Sequence, residues 1–152
     1  MIMRLDLQDE QTVQKLWSMQ QRAYRVEAEL IGTEDIPPLQ ESVEQLRTCG
    51  ETFYGYIVEG ELAGAASFLI EGETLDIHRM IVDPIHFRKG IASQLLASVH
   101  EHGCSKIVVA TGSLNEPAVR LYGRHGFILT DQKEIKPGLW LSFFEKTIRP
   151  RL

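Results

Sequence analysis

Several things are scarce in this chain of 152 residues, and each absence narrows what it does. There are only two cysteines, Cys49 and Cys104. That is too few for a disulfide framework, and it makes a reducing, cytoplasmic location the expectation. No apolar run approaches the roughly 20 residues of a membrane-spanning helix, so no membrane partner is expected. The opening stretch, MIMRLDLQDE, turns acidic too early for a secretory signal. Basic residues are in deficit: 16 Lys and Arg against 21 Asp and Glu give a net charge of −5. Nucleic-acid binding, which needs a basic face, is disfavoured on that ground. Internal repeats, linkers and low-complexity segments are also missing. The length suits one compact domain over 1–152.

What is present is the composition of a globular protein, 43% hydrophobic and 24% charged, which argues against disorder. Val13, Leu16, Trp17, Ala23 and Tyr24 share a helical stripe, predicting a first helix over 9–24. Gly32 and the Pro37–Pro38 pair then interrupt the helix, and a short second helix is expected near 39–48. The middle third holds three β-rich runs separated by two EGE segments, at 59–61 and 71–73. Glycine-centred turns that close together predict consecutive hairpins and an antiparallel meander. After Pro84 the period becomes helical, with Ile91, Leu95, Leu96 and Val99 on one side up to Gly103. SKIVVAT reads as a buried strand. Asn115 is placed to cap a helix over 116–125, with Pro117 in its first turn and Gly126 at its stop. Two last strands are expected near 127–131 and 139–147. The sum is one mixed α/β domain.

One stretch raises a chemical question. HFRKGIASQLL puts Arg88, Lys89 and Gly90 in front of a helix, where cations are electrostatically unfavourable unless an anion is to be met. Backbone N–H groups at such a turn form an anion nest, and phosphate is the natural ligand. The common phosphate and nucleophile signatures are absent: there is no G-x-x-x-x-G-K-[ST], no G-x-G-x-x-G after a strand, and no G-x-S-x-G. In HEHGC, His100 and His102 lie two apart on a helix end and point to different sides, so no metal is implied.

The segment VDPIHFRKGIASQLL resembles the coenzyme A pyrophosphate loop of the GNAT superfamily of N-acetyltransferases, [RQ]-x-x-G-x-[GA]. Gly90 and Ala92 fall on its small-residue positions. Phe87 stands where Arg or Gln is usual, which leaves the backbone cradle as the carrier of the match. Further on, NEPAVRLYGRHGF is similar to the family's N-x-x-A-x-x-x-Y-x-x-x-G-F segment at every fixed letter: Asn115, Ala118, Tyr122, Gly126 and Phe127. The two motifs come in the family's order, and the likeness covers about residues 53–145.

The resemblance implies a mostly antiparallel sheet of six or seven strands with helices on both faces and a splayed fourth and fifth strand. It implies acetyl-CoA as cosubstrate and a primary amine, small-molecule or peptidyl, as acceptor, attacked directly in a ternary complex. The main chain of Met80, Ile81 and Val82 would hold the pantetheine and thioester. The backbone of Arg88, Lys89, Gly90, Ile91, Ala92 and Ser93 would hold the pyrophosphate, with Asn115 and Ala118 on the pantetheine arm. Tyr122 would be the general acid. For the base, Asp76 falls where some members carry a glutamate, and His78 is the alternative, since an imidazole ordinarily exchanges protons between about pH 5 and 8. A water wire is a third route. Strict alternation in TLDIHRM puts Asp76 and His78 on one sheet face, and their structural reading is a solvated face with Asp76 paired to Arg79 or another cation. The family's acceptor pocket maps to residues 20–42 and 134–143, with Glu27, Glu29, Glu34, Asp35 and Glu41 favouring a cation. Trp17, Tyr24, Trp140 and Phe143 are candidates for its apolar wall. A homodimer is also expected from the family. A catalytically silent coenzyme A sensor, or transfer of another acyl group, are the rival readings.

Overall fold

The computed structural model describes residues 1–148. Helix α1 (Glu10–Ile31) begins at Asp9, whose carboxylate accepts the Thr12 N–H at 3.1 Å. It outruns the expected end at 24 because VEAELI contains no breaker and is rich in good helix formers. It stops only at Gly32, in the left-handed region at φ 78°. The single short helix expected near 39–48 is two: α2 (Pro37–Gln40) and α3 (Val43–Arg47). Ser42 divides them by starting its own capping box with Gln45.

The strands are β1 (Ile2–Arg4), β2 (Thr52–Val58), β3 (Glu61–Glu71), β4 (Thr74–Val82), β5 (Lys106–Gly112), β6 (Ile128–Lys136) and β7 (Leu139–Thr147). They form one seven-stranded sheet in the order β1-β2-β3-β4-β5-β7-β6. Only the β4–β5 pair is parallel, and the β2–β3–β4 meander runs through the two glycine turns as expected. The first strand, β1, had no counterpart in the sequence reading. Helices α4 (Ile91–Val99) and α5 (Glu116–Arg124) complete the architecture. Asn115 caps α5, its Oδ1 accepting the Ala118 N–H at 3.4 Å.

Two apolar layers sandwich the sheet. On one face α1 buries Val13, Leu16, Met19 and Ala28 against Phe53, Ala65 and Ile81. On the other, α4 and α5 bury Ile91, Leu95, Leu96 and Leu121 against Ala66, Phe68, Leu75 and Ile77. Gly64 lets α4 sit close to β3: a Cβ there would lie 2.8 Å from Ile91 Cγ2 and 3.1 Å from the Ile81 carbonyl.

A single irregularity prepares the site. Along the β3–β4 ladder Phe68 pairs with Ile77 and Ser67 with Arg79, so His78 is an extra residue, a β-bulge. Perfect alternation would have sent Arg79 to the same apolar face as Ile77. The bulge turns it to the α1 face instead, beside Asp76 and His78. The parallel ladder to β5 ends at the same level, its last pair being Ile77 and Val109. From there β4 runs on to Val82 along β3, and β5 to Gly112 along β7, without pairing to each other, which leaves the expected splay.

Candidate active site

Two cavities enter the splay from opposite sides. The first, about 460 Å³, is bounded by the end of α1, the strand segment Met80–Val82, the loop before α4, and α5. Arg88 and Gly90 both have positive φ, 65° and 75°. For arginine this is an uncommon conformation, tolerated where it aims the chain's amides at a shared point. No side chain caps α4, whose first-turn amides at Ile91, Ala92 and Ser93 lie along this cavity. A Cβ added at Gly90 would meet nothing within 4 Å. The space is open, and Arg88, Arg120 and Arg124 stand around it. This donor set suits a diphosphate. The loop is anchored from behind by Asp83, buried and paired with Arg22 of α1 at 2.7 Å.

All but one of the residues expected at this cavity line it: Met80, Ile81, Val82, Arg88, Gly90, Ile91, Ala92, Ser93, Asn115, Ala118 and Tyr122. Lys89 does not. Its ammonium turns back along the loop, 3.2 Å from His86 Nδ1. Phe87 contributes its ring to the wall. The amide of Asn115 is partly occupied by its cap and by Thr111, 3.4 Å away.

The second cavity, about 890 Å³, opens between α1, the α1–α3 segment, β4, β5 and the β6–β7 hairpin. Its walls correspond to the two expected stretches. Tyr24, Glu27, Asp35 and Glu41 come from the first, and Ile135, Lys136, Leu139 and Leu141 from the second. Other candidates lie elsewhere. Glu29 and Glu34 are exposed outside it. Trp17 donates its indole N–H to the Glu41 carbonyl at 2.8 Å, which pins the α2–α3 connection. Trp140 borders a separate hollow with Ile31 and Leu114. Phe143 lies under the Lys133 ammonium at 5.3 Å.

The two cavities share five residues: Glu27, Met80, Asn115, Ala118 and Tyr122. Tyr122 is buried, its ring packed on Phe127 and Phe144 at 5.5 and 5.8 Å between centroids. It is thus a core tyrosine and a site tyrosine at once. Burial, with a smaller push from the Glu27 charge, raises its hydroxyl well above the usual phenol value.

At the wall of the second cavity lies an ion cluster that sequence reasoning missed. All five N–H donors of Arg79 are used. Nη1 bonds Gln20 Oε1 and Glu41 Oε1 at 2.7 and 2.6 Å, Nη2 bonds Glu41 Oε2 and Glu51 Oε2 at 3.0 and 3.1 Å, and Nε bonds Glu51 Oε1 at 3.0 Å. Asp76 therefore does not pair with Arg79. It lies 3.4 Å from His78 Nε2, while His78 Nδ1 is 3.7 Å from Glu51. His78 lines the second cavity and Asp76 stands behind it, exposed. Nothing in the local sequence announces the cluster, because its members are spread from residue 20 to residue 79. The one available signal was an arginine at a position that strict alternation would bury in hydrocarbon.

Burial is the largest influence on the Glu51 carboxyl and pushes it up. The Arg79 and Ser67 hydrogen bonds, with the nearby Arg79 and His78 charges, together outweigh it, and the group is held below its ordinary 4.5. A carboxylate lowered in this way stabilises the fold above its unfolded-state value, and that contribution is lost as pH falls through the folded one. Glu51→Gln is accordingly expected to flatten the acid limb of stability. Thermal unfolding followed from neutral pH to about pH 3 should show wild type losing more midpoint temperature than the variant.

His100 and His102 do part company: His100 faces Phe127, and His102 packs edge-on or tilted against Tyr54 and Phe68. Among the described residues there is no group of three or more His, Cys, Asp or Glu that could hold a metal, and no helix long and apolar enough to cross a membrane.

A splayed β4–β5 pair, with a turn of uncapped amides below it and a tyrosine where two cavities meet, defines an acyl-CoA N-acyltransferase fold. The chain belongs to the Acetyltransferase (GNAT) family, whose model matches residues 13–127. It is 39% identical over 132 residues to the UPF0157 protein YqkA of Bacillus subtilis (strain 168). That match takes in 86% of this chain and 38% of YqkA, so the chain spans well under half the length of this curated relative. Solved structures share the fold at low identity. The ribosomal-protein-S18-alanine N-acetyltransferase from Escherichia coli is 16% identical with a TM-score of 0.78, over 99% of this chain and 95% of that one. The PaiA N-acetyltransferase from Thermoplasma acidophilum, in complex with coenzyme A, is 14% identical with a TM-score of 0.76, over 97% and 98%.

Proposed function

We propose that this chain, as one catalytic domain over 1–152, transfers the acetyl group of acetyl-CoA to a primary amine in a ternary complex. The observation that carries the reading is the meeting of two cavities at Tyr122 and Met80, one with an anion nest and one with an acidic wall. Each cavity suits one substrate, and the shared wall is where their reactive atoms would face each other. That PaiA was solved with coenzyme A supports the choice of cosubstrate.

The chain's own residues would act as follows. The amides from Arg88 to Ser93, with the Arg88 side chain, bind the pyrophosphate. The free β4 main chain at Met80–Val82 orients the thioester arm, because those residues have no β5 partner to satisfy. His78, backed by Asp76, takes the first proton from the acceptor ammonium and passes it to solvent, which both can reach. The amine nitrogen then attacks the carbonyl carbon, the C–S bond breaks, and Tyr122 gives its hydroxyl proton to the departing sulfur. The acceptor is a small-molecule or peptidyl amine, in keeping with Glu27, Asp35 and Glu41 along the acceptor-side wall, and the chemistry needs no metal. The reaction is that of a cytoplasmic enzyme, and the molecule works as a homodimer.

Calorimetric titration with acetyl-CoA tests the first half of this reading. Wild type is expected to bind with a Kd at or below about 10 μM, and Gly90→Glu to weaken binding about a hundredfold. The variant forces a side chain into a left-handed position and puts a carboxylate where the phosphates would lie. Binding is then followed by a thiol-release screen over polyamines, aminoglycosides, amino acids and peptides with free N-termini. Equal binding by both proteins would show that the nest is not the phosphate site.

A further inference from the structure

We propose that Glu27 of α1 is a second proton carrier of the reaction, taking the proton that leaves the amine nitrogen as the C–N bond forms and returning it to Tyr122. The inference rests on the transferase reading above and extends it to a residue that no motif marks.

Position is the first argument. The last two turns of α1 form the ridge between the cavities, with Ala23, Val26 and Leu30 facing one and Tyr24 and Ile31 facing the other. Glu27 stands on the crest and lines both. Of the five shared residues, only Glu27 and Tyr122 can exchange a proton. Availability is the second argument. The other carboxylates of the acceptor-side cavity are committed, Asp35 to Lys136 and Glu41 to Arg79. Glu27 forms no salt bridge among the described residues.

The proton count supplies the third. An ammonium that becomes an amide loses two protons, while the thiolate regains one. One proton therefore leaves to solvent and one has to travel from nitrogen to sulfur. Tyr122 can supply the sulfur, but its hydroxyl is raised by burial, so a lasting tyrosinate is unfavourable and must be refilled at once. Glu27 is the neighbouring acid that can do it: its carboxylate takes the nitrogen's second proton and the resulting carboxylic acid reprotonates Tyr122. Burial raises the Glu27 carboxyl, partly offset by the Asn115 amide, which brings it closer to the range where a group can both accept and donate. The groups that face it are Tyr24 on its own helix, Asn115 and Tyr122 from the α5 side, and Met80 from β4. Arg88, Arg120 and Arg124 ring the cofactor-side cavity, and His78 and the engaged Arg79 and Lys136 border the other.

Glu27→Gln keeps the shape and the contact to Asn115 while removing the proton site. With acetyl-CoA and spermidine, an aminoglycoside or a peptide N-terminus as acceptor, kcat by thiol release is expected to fall about 30- to 100-fold. Calorimetric Kd for acetyl-CoA should stay within about twofold, because the residue touches neither nest nor pyrophosphate. Raising the pH should not restore the rate, because the step affected follows deprotonation of the acceptor ammonium; a His78→Asn deficit should recover. Glu27→Asp should regain part of the rate. Stability separates chemistry from architecture. A carboxyl raised in the folded state costs stability once pH passes its folded value, so the glutamine variant should unfold at the same or a higher temperature at neutral pH. The proposal is overturned if kcat stays within about twofold of wild type, if acetyl-CoA affinity falls in step with kcat, if the variant melts lower, or if alkaline pH erases the deficit. Wild type that binds acetyl-CoA yet releases no thiol with any acceptor would overturn the transferase reading and this one together. Turnover by wild type and variant alike would overturn the Glu27 role alone.

Discussion

Tyr122→Phe is expected to lower kcat by about a hundred- to a thousandfold, while the Kd for acetyl-CoA changes by less than about threefold. The asymmetry follows from the way the side chain is held. Its ring is fixed by Phe127 and Phe144 in the layer between α5 and the sheet, and phenylalanine makes the same contacts. The variant should fold normally, and the walls of both cavities should keep their shape. What disappears is one hydroxyl at the junction. Its raised pKa keeps it protonated across the whole working range, so the acid form is present at every pH where an amine would be acetylated. Without it the thiolate must leave unprotonated or wait for water. Pre-steady-state thiol release, compared with calorimetric binding, separates the two quantities. Equal losses in both, or unchanged turnover, would count against the acid role and return Tyr122 to the core.

Arg79→Met is expected to destabilise the fold by about 3–5 kcal/mol, because it strands two carboxylates in a poorly solvated place. The side chains of Arg79, Glu41 and Glu51 are 9%, 16% and 9% exposed, so water offers little compensation. The bonds removed join α1, the α2–α3 connection, the start of β2 and the β4 bulge, and the acceptor-side cavity is walled by three of these. In a domain of this size the loss corresponds to a fall of roughly 10 °C in Tm. Lysine should rescue little, since an ammonium cannot serve two carboxylates and Gln20 in one plane. Adding Glu41→Gln and Glu51→Gln to the methionine variant should recover much of the loss, because the cost lies in unpaired charge. The deficit should also shrink toward acid pH. Carboxylates left without their cation have raised folded values, so their penalty grows as pH rises through those values. A deficit independent of pH would mean that lost packing on Phe53, 5.4 Å below the guanidinium, is the larger effect.

Much of this molecule was legible along the chain because the relevant forces are local. The meander followed from two glycine turns, α5 from Asn115, Pro117 and Gly126, and the uncapped start of α4 from a glycine before an amphipathic run. Those features depend on backbone conformation and neighbours within a few residues. Boundaries suffered where no local breaker existed: α1 ran seven residues past its expected end, and that extension is what carries Glu27 to the junction.

The remainder was decided by tertiary structure. Alternation along TLDIHRM assigns faces only if the ladder is regular, and the extra residue at His78 is set by pairing with β3. That bulge moves Arg79 from a hydrocarbon face to one where Gln20, Glu41 and Glu51 await it, and it marks the level at which β5 parts from β4. Polar partners of Arg79 separated from it by up to 59 residues leave no periodic trace, since their cost and benefit appear only when water is excluded. The sequence by itself determined the meander, the helices that follow it, the glycine loop before α4 and the tyrosine of the family motif. Which carboxylates are neutralised, and which one is left free between the two cavities, only the packed structure could decide.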